Sequence, residues 1–334
     1  MSKTLDIAVI GATGTVGETL VQLLEERDFP VGNLHLLAGG ESAGQTVAFR
    51  GKNLRVRELS GFDFAQVRLA FFAAGEEVSR QHAAGAQAAG CSVIDLSGAL
   101  GQALPVVPEA NGEALAAVTA PYLVGSPAPA ATALAAVLAP LRERLGLRKI
   151  TLHAALAVST LGRAGVSELA RQTTELLNMR PLEPQTFDRQ VAFNLLAGVG
   201  QVEKDGHARL ERRVARELKQ VLAVEGLKVS VTCSMAPVFF GDSLSVSLET
   251  AGPVDIKEVA ALLEGQAGIE LVEAEDYPTV VGDAVGQDEL YVGRLRGGLD
   301  DPAELNLWIA SDNVRKGSSL NAVQIGELLI KHYL

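Results

Sequence analysis

Short, unbroken apolar runs alternate with stretches of helical spacing through the first third of the chain. Leu5 to Ile10 is the first run; a glycine turn follows, and then Val16, Leu20, Leu23 and Leu24 fall on one face at a period near 3.6. The same cycle of strand, turn and helix recurs. Leu34 to Gly39, Leu69 to Gly75, Cys91 to Gly98 and Pro121 to Pro127 are apolar segments, most of them ending in Gly or Pro. Continuous apolar runs of this length suit strands covered on both faces, so the pattern predicts a doubly wound parallel sheet.

The pattern changes near residue 130. An alanine-rich helix is predicted from about Ala130 to Leu145, followed by longer, alternating segments at Ile150 to Thr160, Val229 to Phe240, Ser243 to Thr250, Glu289 to Arg296 and Glu304 to Ser311. Alternation at period two predicts an antiparallel or mixed sheet with one face covered. Ser318 to Tyr333 reads as an amphipathic helix following Gly317. The expected organisation is α/β: a Rossmann-like dinucleotide-binding domain over 1–130, completed by a C-terminal helix at 316–334, and an α+β catalytic-type or dimerisation domain over 131–315.

Composition narrows the function. A chain of 334 residues with 48% hydrophobic and 21% charged residues can bury two cores. The N-terminal apolar run is too short for a signal segment or a membrane span, and the chain reads as cytoplasmic. A net charge of -11 argues against a sequence-independent grip on nucleic acid or an anionic membrane. His35, His82, His153, His207 and His332 have no metal spacing, so no metal site is expected. The two cysteines, Cys91 and Cys233, lie in apolar strand-like surroundings and read as small buried hydrophobes.

The most specific local chemistry is GATGTVG, Gly11 to Gly17, which ends the first strand and opens the first helix. Backbone N–H groups and the helix dipole would there face a pyrophosphate, giving Gly11, Thr13, Gly14, Thr15, Val16 and Gly17 as cofactor-binding candidates. A ligand-free strand-to-helix turn is the competing reading. After the second strand, where dinucleotide folds distinguish NAD from NADP, the chain has Glu41 and Ser42 with no cation before Arg50. An acid can hold a ribose 2′-hydroxyl and repels a 2′-phosphate, so either NAD or NADP is a candidate ligand, with NADP disfavoured.

Together with PVVPEAN (Pro105 to Asn111), GSPAPAAT, AGVSELARQT (Ala164 to Thr173), VAFNL (Val191 to Leu195), CSMAPVFFGDS, YVGRLR (Tyr291 to Arg296) and SDNVRKGSSLNAVQIGELL (Ser311 to Leu329), these segments resemble the ordered landmarks of aspartate-semialdehyde dehydrogenases. The resemblance spans most of the chain. It implies the two-domain fold, a homodimer, and Asn313 as a further cofactor contact. The family reaction is reductive dephosphorylation of aspartyl phosphate by NADPH through a cysteine thioester, in the synthesis of lysine, methionine and threonine.

Carried over residue by residue, the family's chemistry is missing. Where the nucleophilic cysteine should start a helix, the chain has Ser126, Pro127, Ala128, Pro129, Ala130, Ala131 and Thr132, which sets Pro129 or Ala130 at the nucleophile. A proline in the first turn of a helix explains Pro129 on structural grounds alone. Asp242 stands at the acid/base histidine and Met235 at an arginine; a Gly-Asp-Ser turn is the plainer reading of Asp242. Gly101 replaces a phosphate-binding arginine. Glu211 and Arg213 match a substrate-touching glutamate and lysine, with an ion pair on a solvated helix as the alternative. The reading that follows is a catalytically silent member of the family, most like its Usg-type paralogues, with a nucleotide-binding, regulatory or partner role. The alternative is an active NAD(P)-dependent oxidoreductase acting on a semialdehyde or acyl phosphate in amino-acid biosynthesis by a cysteine-independent mechanism.

Overall fold

The computed structural model describes residues 4–334. They form two compact units, one of residues 4–128 with 318–334 and one of residues 129–317. In chain order the first unit begins with β1 (Leu5–Ile10), α1 (Thr15–Glu26), β2 (Val31–Ala38), β3 (Thr46–Phe49), β4 (Lys52–Arg55), β5 (Arg57–Glu58) and β6 (Leu69–Phe72). It continues with α2 (Glu76–Ala88), β7 (Ser92–Asp95), β8 (Leu104–Pro105), α3 (Pro108–Asn111) and β9 (Leu123–Gly125).

Seven of these strands make one parallel sheet in the order β5-β2-β1-β6-β7-β9-β8. Its central strands are buried runs, as continuous hydrophobicity requires when both faces are covered: β1, β6 and β7 have no exposed residue, whereas β2 is partly and the edge strand β5 wholly exposed. The chain leaves β1 toward β2 on one side and returns to β6 on the other, so the order reverses beside β1. A crevice at the carboxyl ends of strands forms at such a reversal. The hairpin β3–β4 is a separate two-stranded sheet that the apolar pattern did not announce.

The second unit contains α4 (Pro129–Leu138), α5 (Arg142–Leu145), β10 (Lys149–Leu156), α6 (Gly162–Leu177), α7 (Arg209–Leu222), β11 (Lys228–Met235), β12 (Asp242–Glu249), α8 (Ile256–Glu264), β13 (Ile269–Leu271), β14 (Leu290–Gly297) and β15 (Glu304–Ser311). Six strands form a mixed sheet ordered β11-β10-β12-β15-β14-β13. In β12, Asp242, Leu244, Val246 and Leu248 are buried while the intervening serines are half-buried, the period-two signature of a sheet covered on one face. The single helix expected from Ala130 to Leu145 is instead two. Pro140 lacks an N–H and crowds the carbonyl four residues back, which stops α4 at Leu138; α5 then ends at Gly146, whose left-handed conformation (φ +62°) terminates it. Every residue of α4 from Ala130 to Leu138 is buried, as a helix apolar all round must be.

The last helix, α9 (Asn321–His332), belongs to the first unit. A wider turn at Arg315–Leu320 precedes it, so the regular helix starts three residues later than Ser318. Leu320, Val323, Ile325 and Leu329 join the core built on β1, α1 and β6. Gly326 permits the seating: a Cβ there would stand 3.0 Å from both Phe29 and Phe71.

Candidate functional site

In the first unit the glycine turn lies at the carboxyl end of β1, beside the reversal of strand order. Gly11 has φ +82°, and a side chain there would meet the Ala73 carbonyl at 2.6 Å. Gly17 lets α1 close on the turn, since a Cβ at that position would fall 2.1 Å from the Gly11 carbonyl. Gly14 is the N-cap of α1 and supplies no side-chain cap. The first-turn N–H groups of α1 are therefore left without the acceptor a Ser or Asp cap would give, which fits an anion placed at the helix start. Thr13, Thr15 and Val16 are half-buried in the same turn, and the Val16 carbonyl accepts a 3.0 Å bond from Ser319 Oγ. These features fit a dinucleotide pyrophosphate held by the backbone of Gly14, Thr15 and Val16.

Glu41 and Ser42 lie in the tight turn Gly40–Ser42 directly after β2, Glu41 exposed and Ser42 half-buried. Here the fold adds a group that spacing along the chain could not show. The β3–β4 hairpin returns Arg55 to this turn, its guanidinium 3.9 Å from where a Cβ on Gly44 would stand. A cation thus lies close to the Glu41 segment although it is fourteen positions away in sequence.

The second unit holds the other candidates. Asp242 is not in a turn; it is the first residue of β12, after Gly241, whose φ of +89° makes the bend and where a Cβ would fall 2.7 Å from Val280. Its side chain is buried and accepts a 3.0 Å hydrogen bond from the Ala157 N–H. Burial pushes the Asp242 carboxyl up to about 7; the Ala157 N–H pulls it partly back and the charge of Asp312 raises it further. The register Asp242↔Ser311 between β12 and β15 is what brings these acids together. Asp312 was missed in the sequence although it adjoins Asn313, because only the strand register places it near Asp242. Its carboxylate accepts from the N–H groups of Gly286 (2.8 Å), Val314 (2.9 Å) and Arg315 (2.8 Å).

Asn313 joins the same cluster, with Oδ1 accepting from the Gly241 N–H at 2.9 Å and Nδ2 donating to Ser159 Oγ at 3.0 Å. Glu211 and Arg213 diverge. Glu211 Oε2 accepts from the Ala208 N–H at the start of α7 (2.8 Å) and Oε1 from the Cys233 N–H on β11 (2.9 Å). Arg213 pairs with Glu217 at 2.7 Å, both largely buried. The ion pair on a solvated helix considered from the sequence is therefore corrected in part: Arg213 is in an ion pair along the helix, but a largely buried one, and Glu211 instead caps the helix onto a strand. Pro129 occupies the first turn of α4, where its missing N–H leaves no intrahelical bond unmade. Its Cβ is 2.6 Å from where a side chain on Gly317 would begin.

Both cysteines are fully buried, Cys91 beside β7 and Cys233 within β11. Burial pushes each thiol up to about 12, with Glu211 and Asp242 adding to the effect at Cys233. Among the described residues no group of His, Cys, Asp and Glu could hold a metal ion, and no helix is long and apolar enough to cross a membrane.

Comparison with known proteins agrees with this architecture. Residues 6–118 match the semialdehyde dehydrogenase NAD-binding domain and 138–316 the semialdehyde dehydrogenase dimerisation domain. A USG-1 protein homolog from Pseudomonas aeruginosa is 60% identical over the whole of both chains, and aspartate-semialdehyde dehydrogenase 2 from Vibrio cholerae is 40% identical, again over both. Among solved structures, a probable aspartate-semialdehyde dehydrogenase from Pseudomonas aeruginosa superposes with a TM-score of 0.97 at 59% identity, covering 99% of this chain and 100% of that one. Aspartate-semialdehyde dehydrogenase II from Vibrio cholerae, solved in complex with ASA, gives 0.96 at 39% identity, covering all of both. With its glycine turn, its two units and these full-length likenesses, the chain belongs to the aspartate-semialdehyde dehydrogenase family.

Proposed function

We propose that this protein is a catalytically silent member of its family, a homodimer that keeps a dinucleotide site and serves a nucleotide-dependent regulatory or partner role. The observation that carries the reading is the state of its thiols. The chain has two cysteines in all, both are fully buried, and burial pushes both thiols up to about 12, so that neither forms an appreciable thiolate near neutral pH. Thioester chemistry needs a thiolate within reach of a carbonyl, and Pro129, at the helix start where the family resemblance expects one, has no nucleophilic atom. Deleting a covalent nucleophile costs on the order of 10^4-fold or more in turnover.

The cysteine-independent oxidoreductase is the second reading, favoured by Asp242. A carboxyl held near neutrality can carry a proton at working pH. In this reading a bound reduced nicotinamide would supply the hydride that turns a carbonyl into an alcohol, and the Asp242 carboxyl would supply the proton and regain it from solvent. Its burial and its bond to Ala157 weigh against the role.

For the cofactor, the α1 start supports dinucleotide binding, with Glu41 favouring a free ribose 2′-hydroxyl and Arg55 opposing it. Titration calorimetry of nucleotide-free protein with NAD, NADH, NADP and NADPH is expected to show micromolar binding that prefers the unphosphorylated pair. Incubation with aspartate semialdehyde, phosphate and either oxidised nucleotide is expected to give no change in nicotinamide absorbance. Phosphate-independent oxidation of NADH or NADPH by aspartate semialdehyde that disappears in Asp242→Asn would overturn catalytic silence in favour of the second reading.

A further inference from the structure

The edge of the second sheet carries a groove that none of the chemistry above uses. β11 is the edge strand, with β10 as its only neighbour in the sheet. Successive residues of a strand direct their N–H and C=O groups to opposite sides. Lys228 N–H donates inward to Arg148, so Val229, Val231, Cys233 and Met235 face outward. The far half of that edge is closed: Met235 exchanges backbone bonds with Leu196 at 2.8 and 3.0 Å, and the Cys233 N–H is taken by Glu211. The near half, at Val229 and Val231, has no outward backbone partner among the described residues.

Open backbone there lines a cavity of about 510 Å³ whose opposite wall is the exposed side of α7. That wall presents Arg212, Arg216 and Lys219, with His207 just before the helix and Glu211, whose carboxylate is taken up by the Ala208 and Cys233 N–H groups, in its first turn. Arg212 is paired, with Glu203 at 2.7 Å and with Asp205. Arg216 and Lys219 have no acidic partner among the described residues. Two unneutralised cations beside an open strand edge stand out in a chain of net charge -11. An edge left to solvent is normally blunted, often by a lysine on the strand itself; β11 has Lys228 only at its first residue, and Arg216 and Lys219 sit across the groove, where they can meet an incoming chain.

We propose that this groove binds an extended acidic peptide segment of a partner protein, which adds to β11 at Val229 and Val231 and sets carboxylates against Arg216 and Lys219. Arg216 and Lys219 are three residues apart, about 4.5 Å along α7, and alternate residues of a strand lie about 7 Å apart, a difference that the long side chains of the two cations can span to meet carboxylates at alternate positions. Backbone pairing would supply affinity and the charges register and sign selectivity, as in other strand-addition complexes. The inference stands independently of catalytic silence, because the groove uses neither the thiols nor Asp242.

The test uses the full chain and a fluorescent peptide of alternating valine and glutamate, read by anisotropy, with hydrogen exchange at Val229 and Val231. Saturable binding is expected, with slower exchange of those two amides and an affinity that falls as salt rises. The double variant Arg216→Glu, Lys219→Glu should bind roughly tenfold or more weakly. Both positions are exposed, so an unchanged thermal melt would show that the fold survives. Absence of saturable binding, undiminished binding by the double variant, equal binding of a valine–lysine peptide, or equal binding of a peptide N-methylated at alternate residues would each overturn the proposal. So would single-stranded DNA that displaced the peptide at lower concentration, or amides at Val229 and Val231 already protected in the free protein by a second copy.

Discussion

Asp242 opens a strand without reaching water, and its carboxyl is held near 7 against an ordinary 3.8. The folded protein therefore keeps a proton there that the unfolded chain has lost above about pH 4. Stability from this group is fully present below that value, falls as pH rises toward 7, and is constant above it. Thermal melts between pH 5 and pH 8 should show this decline in the native protein and a flatter profile in Asp242→Asn, whose amide oxygen can still accept from Ala157. A native profile as flat as the variant's would refute the assignment. The thiols give a second residue-scale expectation: iodoacetamide at pH 8 should leave Cys91 and Cys233 unmodified in the native protein and label both after denaturation, as counted by mass spectrometry. Residue identities were legible in the sequence, including the buried character of both cysteines. The environment of Asp242 was not: Gly-Asp-Ser has the chemistry of a turn, and only pairing with Ser311, sixty-nine positions on, buries it.

At the scale of elements, apolar periodicity found the buried strands of the first sheet and the alternating strands of the second, because burial on two faces or one writes itself into the local pattern. It overran α4, where a long alanine-rich stretch outweighed Pro140, and it gave no hint of the β3–β4 hairpin, whose residues are largely exposed. That hairpin delivers Arg55 to the Glu41 turn, so the cofactor reading from linear spacing lacked one of its two charges. The start of α4 depends on a close approach instead. Gly317 lies against Pro129, and Gly317→Ala would place a methyl 2.6 Å from the proline ring. Overpacking of this kind costs about 1–3 kcal/mol, and chemical denaturation should register a loss of that order. A second substitution, Pro129→Ala, should restore little of it, since the clash extends to the Pro129 Cα at 3.0 Å.

For the molecule as a whole, landmarks spread from Gly11 to Leu329 made the family legible from sequence, whereas the groove along β11 was not, since strand order has no local signature. Sedimentation equilibrium is expected to return twice the 35.0 kDa chain mass, and a monomer at all concentrations would remove the dimer from the proposed role. The placement of α9 bears on how the protein is made. Nascent domains generally fold in order of synthesis. Here the first unit's core includes Leu320, Val323, Ile325 and Leu329, which the ribosome adds only after the entire second unit. The parallel sheet synthesised first must then wait, with its α9-facing surface uncovered, while the unit synthesised second completes its own core, which makes that waiting surface the point where a chaperone would be needed.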